Sequence, residues 1–221
     1  MADVSGAGLR GLRFKLSGSG AVLGCLTGAM EAPEGGIVAA VLAAGGSSRF
    51  GSDSKLVAQF RGEPMVSIAV NAALAAGCFD HVLVVTGAVD LSETLPAGVR
   101  TVFNEAWATG QASSVRAAAD AARELGAAFV VIGLADQPFV EASAWHAVAM
   151  GPTDVPILVA SYEGRRGNPV RLRHDVWDDL PEEGDEGARV LIRSNPGLVS
   201  AVACSGSAID IDTQEDLDRW N

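Results

Sequence analysis

The stretch Ile37-Val38-Ala39-Ala40-Val41-Leu42-Ala43-Ala44-Gly45-Gly46-Ser47-Ser48-Arg49-Phe50-Gly51-Ser52-Asp53-Ser54-Lys55 decides the fold. Its first seven residues are all apolar and include β-branched Ile37, Val38 and Val41, which reads as a strand covered on both faces. The run stops abruptly at Gly45-Gly46-Ser47-Ser48, and two cations, Arg49 and Lys55, follow six residues apart. A strand that feeds a glycine-rich loop at the carboxyl edge of a parallel sheet is where nucleotide phosphates bind. Glycine lets backbone N–H groups turn toward an anion with no Cβ in the way, and nearby cations neutralise its charge. The stretch is neither a Walker A loop, which needs Gly-Lys-Ser/Thr, nor a G-x-G-x-x-G turn.

Working outward, the 221 residues fit one α/β domain, and with 48% hydrophobic residues a sizeable core is available. A formal net charge of −11 argues against nucleic acid or an anionic membrane as partner. An acidic chain that binds a triphosphate must concentrate its few cations locally and recruit a metal ion. Cys25, Cys78 and Cys204 are far apart and odd in number; no spacing suggests zinc, no disulfide framework is visible, and inert thiols in a reducing cytoplasm are the default reading.

Residues 1–36 differ from the rest. Arg10, Arg13 and Lys15 precede a weakly apolar stretch from Leu16 to Met30, which imitates a signal peptide. Gly18, Gly20, Gly24 and Gly28 interrupt it, and nothing approaches the roughly 20 apolar residues of a membrane span. A poorly ordered extension, or a functional start near Met30, is expected, with residues 37–221 forming the domain.

After Lys55, residues 57–62 read as a short strand and turn. Pro64 opens a helix whose apolar face runs from Met65 to Ala76, with Gly77 as the stop. Residues 81–86 and 99–103 read as strands, with a loop between them. Val115 to Leu125 reads as a helix closed by Gly126, with Ser113 or Ser114 as its N-cap, although free N–H groups there can equally face a ligand. Residues 127–134 form the most hydrophobic strand and end in Ala135-Asp136-Gln137-Pro138. A carboxylate just past a central strand shares the sheet edge of the glycine loop and offers oxygen to Mg²⁺. Residues 141–150 read as a helix, 155–162 as a strand, and 173–180 as a short helix. Between the last two, Arg165 and Arg166 precede Asn168-Pro169 at a hairpin tip; they can grip a phosphate by bidentate hydrogen bonds or simply be solvated. Asp185 reads as the cap of a helix through Asn195, a reading at least as strong as substrate contact. Alternation in residues 207–217 puts Asp210 and Asp212 on one side of a strand and Ile209 and Ile211 on the other, before a helix capped by Thr213 with Asp216 at N3.

Leu42, Ala43, Ala44, Gly45, Ser47, Arg49, Gly51 and Lys55 fill L-A-A-G-x-S-x-R-x-G-x-x-x-K, which resembles the signature loop of the MobA/MocA-like nucleotidyltransferases. Gly110 with Ser113-Ser114, Asp136-Gln137-Pro138, Arg166-Gly167-Asn168-Pro169, Gly184-Asp185 through Arg189, and Asp210-Ile211-Asp212-Thr213 follow in that family's order. The resemblance covers roughly residues 37–218 and implies a three-layer α/β/α sandwich, a Rossmann-like mostly parallel sheet of the nucleotide-diphospho-sugar transferase type. It implies Mg²⁺-dependent transfer from a nucleoside triphosphate to a small phosphorylated acceptor, with room for a molybdoenzyme as protein partner. Leu42, Ala43, Ala44, Gly45, Gly46, Ser47, Arg49, Lys55, Gly110, Ser113 and Ser114 would then bind the nucleotide. Arg166, Asn168 and Asp185 would hold the acceptor. Arg49, Lys55 and Asp136 would carry the chemistry, and Asp136 with Asp212 (Asp210 being the alternative) would hold Mg²⁺. The L-A-A-G form of the loop resembles cytidylyl rather than guanylyl transferases, pointing to CTP with molybdenum cofactor as acceptor. A sister enzyme with another nucleotide or acceptor is the nearest rival. A non-catalytic molybdoenzyme accessory protein is the other, although it should have lost the phosphate or metal groups.

Overall fold

In a computed structural model, residues 35–46, 50 and 54–221 are described. The expected N-terminal extension up to residue 34, together with Ser47 and Arg49 of the signature loop, lies outside the described residues.

Strand β1 (Ile37–Ala43) is buried along its whole length, as a run without a polar residue requires. It lies between two parallel neighbours, β4 (His81–Thr86) and β6 (Phe129–Leu134). β4 also pairs in parallel with β5 (Arg100–Phe103) at one edge of the sheet. On the other side β6 meets β8 (Arg165–Arg173) antiparallel, β8 meets β7 (Ile157–Tyr162) antiparallel, and β9 (Val199–Ala203) closes the far edge parallel to β7. The seven-stranded order is β5-β4-β1-β6-β8-β7-β9. A separate hairpin, β2 (Gln59–Phe60) with β3 (Glu63–Pro64), follows the signature loop. β9 is a strand that the sequence reading does not include; Val199-Ser200-Ala201-Val202-Ala203 is small-residued and largely exposed.

Alternation along β1 sorts the layers. Ile37, Ala39, Val41 and Ala43 face helices α1 (Met65–Ala75) and α3 (Ala142–Ala149), while Val38, Ala40 and Leu42 face α2 (Gln111–Glu124), the 3₁₀ segment 174–179 and α4 (Arg189–Ser194). The expected helix at 173–180 is thus a 3₁₀ turn. A smaller third cluster gathers Phe50, Phe60, Met65, Ile211 and Leu217 beneath the last helix, α5 (Gln214–Trp220). The three-layer α/β/α sandwich with a mostly parallel sheet is what the sequence leads one to expect.

Two features refine the local reading. The β7–β8 hairpin turns through Glu163 (φ 51°) and Gly164 (φ 82°), two consecutive left-handed residues whose twist suits a two-residue hairpin. Arg171, in the middle of β8, is wholly buried. Its guanidinium donates to the carbonyls of Ala149, Gly151 and Pro152 just past the end of α3 and lies 4.5 Å from the Phe129 ring centroid. Burial pulls its pKa down to about 10, leaving it charged at neutral pH. A cation at a helix C-terminus satisfies orphan carbonyls and complements the dipole.

Arg171→Ala should therefore cost about 3 kcal/mol in urea unfolding, since it strands buried carbonyls. Arg173→Ala, two residues along, breaks the half-exposed pair with Asp175 and exposed hydrogen bonds to the Thr153 and Asp154 carbonyls, which water can replace, and should cost about 1 kcal/mol or less. Equal losses would show that the buried guanidinium does not anchor α3.

Candidate active site

The order of strands reverses at β1, because the chain passes from β1 to β4 on one side and later to β6 on the other. In a sheet of this kind a crevice opens at the carboxyl edge at such a point. A cleft of about 480 Å³ lies there. Its floor is the carboxyl end of β1 and its loop, Leu42 to Gly46. One wall comes from Leu134 and Asp136 after β6, with Asp210 and Asp212. The other comes from Trp107, Ala108, Gly110, Gln111 and Ser114, and Asp185 with Arg189 completes the rim.

Lys55 is the centre of the cleft. Its Nζ donates to Asp136 Oδ2 at 2.6 Å and to Asp212 Oδ1 at 2.7 Å. Asp136 is fixed because it follows β6 directly, with the Ala135 N–H on the Leu42 carbonyl (3.1 Å). Asp212 is fixed from below: buried Ile211 plugs the third core cluster, and its N–H donates to the Asp136 carbonyl at 2.9 Å. The expected strand over this segment is not formed: residues 207–212 pair with no strand, and Ile211 is buried while Ile209 is exposed. The capping box of α5 is present as expected. Thr213 Oγ1 accepts from the Asp216 N–H, and Asp216 Oδ2 accepts from the N–H groups of Thr213 and Asp212.

Beside this pair, buried Gln137 donates to Asp210 Oδ1 (2.7 Å) and accepts from Asn168 Nδ2 (3.2 Å). The Gln of Asp-Gln-Pro thus ties the β8 hairpin to the C-terminal segment. Burial and then the nearby carboxylates Asp136 and Asp212 push the Asp210 pKa up, with Gln137 working against them. For Lys55, burial would lower the pKa, yet Asp136 and Asp212 outweigh it and hold the ammonium above its ordinary range.

Asp136 Oδ1 is buried and has no hydrogen-bond partner in the protein, an orphaned acceptor of the kind that binds a hard cation. The lining carries four carboxylates (Asp136, Asp185, Asp210, Asp212) against two described cations (Lys55, Arg189), an excess of negative charge that a triphosphate can enter only with added positive charge. On both counts the residues fit a divalent ion held by Asp136 and Asp212. Among the described residues no cluster of three or more His, Cys, Asp or Glu completes a metal cage, so remaining ligands would come from substrate and water.

At the opposite wall, α2 begins at Gln111, with Gly110 (φ 113°) at its N-cap. Ser113 and Ser114 are inside the first turn and do not cap it. Asn104 Nδ2 donates to both hydroxyls (2.9 and 3.0 Å), and Ser113 Oγ is shared between the carbonyls of Ala106 and Gly110. Ser114 lines the cleft and Ser113 does not. Asp185 is likewise no cap, since α4 starts later with Ala188 at its N-cap. Its loop instead docks on α2: the Ala112 N–H donates to the Gly184 carbonyl and the Gly184 N–H to the Thr109 carbonyl, both at 2.9 Å. A Cβ at residue 110 would lie 2.5 Å from the Gly184 backbone, so glycine is required there by contact as well as by φ.

The acceptor residues divide. Asp185 is on the cleft rim, and Asn168 lines a small adjoining recess together with Gln111 and Arg189. Arg166 lines neither; it is exposed at the start of β8, paired across the hairpin with Ser161. Arg189 is the cation that the fold brings to the rim instead, and its position ending Gly-Asp-Glu-Gly-Ala-Arg is the only sequence signal for it. Trp107 and Gln111 have no such signal. The three histidines lie elsewhere: His81 opens β4 at the amino edge, His146 Nδ1 sits 3.1 Å from the Ala76 carbonyl, and His174 starts a 3₁₀ turn. No helix among the described residues is long and apolar enough to cross a membrane.

The family model for the MobA-like NTP transferase domain matches residues 39–199. Nicotine blue oxidoreductase of Paenarthrobacter nicotinovorans is 30% identical over 199 residues, 83% of this chain and 95% of the relative. Purine catabolism protein PucB of Bacillus subtilis is 33% identical over 197 residues, 82% and 94% of the two chains. The crystal structure of the Mycobacterium sp. strain JC1 homologue of Mycobacterium tuberculosis Rv0371c is 27% identical and superposes with a TM-score of 0.73 over 83% of this chain and 93% of that one. The activity class that the family model supports is nucleotidyl transfer. With the family model spanning most of the chain, this protein belongs to the MobA-like NTP transferase family.

Proposed function

We propose that the cleft binds CTP as its Mg²⁺ complex and transfers the cytidylyl group to a phosphorylated acceptor, molybdenum cofactor, releasing pyrophosphate. The observation that carries the reading is the Lys55 ammonium shared between Asp136 and Asp212 beside the loop after β1. The orphaned Asp136 Oδ1 and the excess of carboxylates support the metal. The choice of CTP and of molybdenum cofactor rests on the L-A-A-G loop and its resemblance to cytidylyl transferases.

In this reading, the loop from Ala44 to Gly46 receives the triphosphate with backbone N–H groups, and Lys55 and Arg49 neutralise it. Asp136 and Asp212 would hold Mg²⁺, which would supply charge compensation and Lewis acidity to the triphosphate. Arg189 on the rim and Asn168 in the adjoining recess orient the acceptor. An oxygen of its phosphate attacks the α-phosphorus, the bond from that phosphorus to the bridging oxygen breaks, and the electron pair leaves with pyrophosphate. A phosphate nucleophile is already ionised near neutral pH, so no general base is needed, in keeping with a cleft without histidine. Positioning and charge compensation carry the rate.

CTP with Mg²⁺ should raise the melting temperature, whereas GTP, ATP and UTP should not at matched concentration, because a ligand specific to the native state stabilises it by about 2.7 kcal/mol at 100 times its Kd. A shift with GTP alone would keep the reaction class and change the nucleotide. No shift with any of the four would overturn the reading.

Asp136→Asn should lower pyrophosphate release at least about 100-fold while unfolding stays cooperative. Lys55→Met should weaken CTP·Mg²⁺ binding by about 10- to 100-fold in calorimetry, the range for lost hydrogen bonds to charged groups. Wild-type turnover in the first variant removes Asp136 from the metal site. Wild-type affinity in the second removes Lys55 from the phosphates.

A further inference from the structure

Among the described residues Trp107 is the one aromatic side chain in the cleft lining, and 36% of its surface is exposed. An indole left half open to water among carboxylates gains little from burial, and among the described residues no second ring or cation stacks on it. Its seat is nonetheless constructed. A Cβ at residue 87 would come within 2.7 Å of Trp107 Cβ and 2.9 Å of its Cγ, and one at residue 46 within 3.4 Å of its Cζ3. Glycine at both places lets the indole lie against bare backbone, one contact on the loop after β1 and one just past β4.

The turn that carries it is also braced. Asn104, buried after β5, accepts the Ala106 N–H on Oδ1 and donates through Nδ2 to Ser113 and Ser114 of α2. Ser113 Oγ in turn holds the Ala106 carbonyl. Asn104 and Ala106 are thereby tied to the first turn of α2, so the ring is presented on a braced support.

We infer that Trp107 is the stacking platform for the nucleobase of the triphosphate. The inference rests on the proposed nucleotide reading of this cleft and adds the group that grips the base. Topology favours the base over an acceptor ring. Trp107 and Gly87 lie on the β4 side of β1, whereas Asp136, Asn168 and Asp212 lie on the β6 side. A triphosphate laid across the end of β1, with its reacting phosphate toward Asp136, therefore leaves its base to the β4 side. A flat π-face accepts any base, so Trp107 contributes affinity and orientation, while discrimination between bases falls to polar neighbours such as Gln111 and Ser114.

The test uses the full chain and two ligands, CTP and inorganic tripolyphosphate, each with Mg²⁺, in calorimetry and tryptophan fluorescence. Trp107→Leu keeps an apolar side chain on the glycine seat but removes the π-face; it should raise the CTP Kd about tenfold or more while leaving tripolyphosphate unchanged. Trp107→Phe should stay within about threefold of wild type for both ligands. CTP should quench wild-type emission, and that quench should vanish in Trp107→Phe although Trp145, Trp177 and Trp220 remain. An unchanged CTP Kd in Trp107→Leu overturns the platform and leaves the nucleotide reading standing. An equal loss of tripolyphosphate affinity in that variant also overturns it, as a structural effect. Failure of wild-type protein to bind either ligand overturns the nucleotide reading, and the platform with it.

Discussion

The ammonium of Lys55 between the carboxylates of Asp136 and Asp212 is the contact on which the site depends. Two carboxylates this close repel each other and resist leaving water unless a cation lies between them. Lys55 supplies that cation, and in doing so fastens the end of the signature loop to the residue past β6 and to the C-terminal segment. The surrounding devices serve the same geometry: Ile211 is driven into its apolar cluster, the Thr213–Asp216 box holds the backbone of Asp212, and Gln137 spans Asp210 and Asn168. In a chain with a net charge of −11, Lys55 and Arg189 converge on one edge of the sheet, beside the buried Asp136 Oδ1 that has no partner in the protein.

Most of the fold is legible because burial writes directly into periodicity. β1 and the interior of β4, Val82 to Val85, are uninterrupted apolar runs, α1 has its apolar face and its Gly77 stop, and Thr213 with Asp216 has the spacing of a capping box. What is not legible depends on partners far along the chain. A sequence cannot say that the helix after Gly110 begins at Gln111, because Ser113 and Ser114 have their hydroxyls engaged by Asn104 rather than by free N–H groups. Nor can it say that Arg171 is buried while Arg166 is exposed, since that follows from where α3 ends over the sheet. β9 is hidden for the opposite reason: a small-residued edge strand has no strong pattern of its own and is defined by its pairing with β7.

The candidate site shows the same division. Residues supplied by strand ends, Ala44 to Gly46 and Asp136, sit where any parallel sheet would put them, and the motifs around them are short and local. Trp107, Gln111 and Arg189 come from loops and helix starts whose placement is set by the docking of the Gly184 loop on α2. These are also the walls most open to change without disturbing the sheet. The scaffold fixes where phosphate chemistry can occur; its rim decides what is brought there.

The central place of β1 has a consequence for how the molecule forms. Its two neighbours are β4 and β6, and the Lys55 contacts span 81 and 157 residues of chain. Contacts of such long range must await loop closure over most of the polypeptide, which makes folding slow relative to a protein of local contacts. A nascent chain emerging from a ribosome can assemble β1, α1 and β4 early, but its first strand keeps one edge unpaired until residue 134 has followed. The Lys55–Asp212 contact can form only when residue 212 has arrived, so the candidate cleft is completed after the strands that carry it.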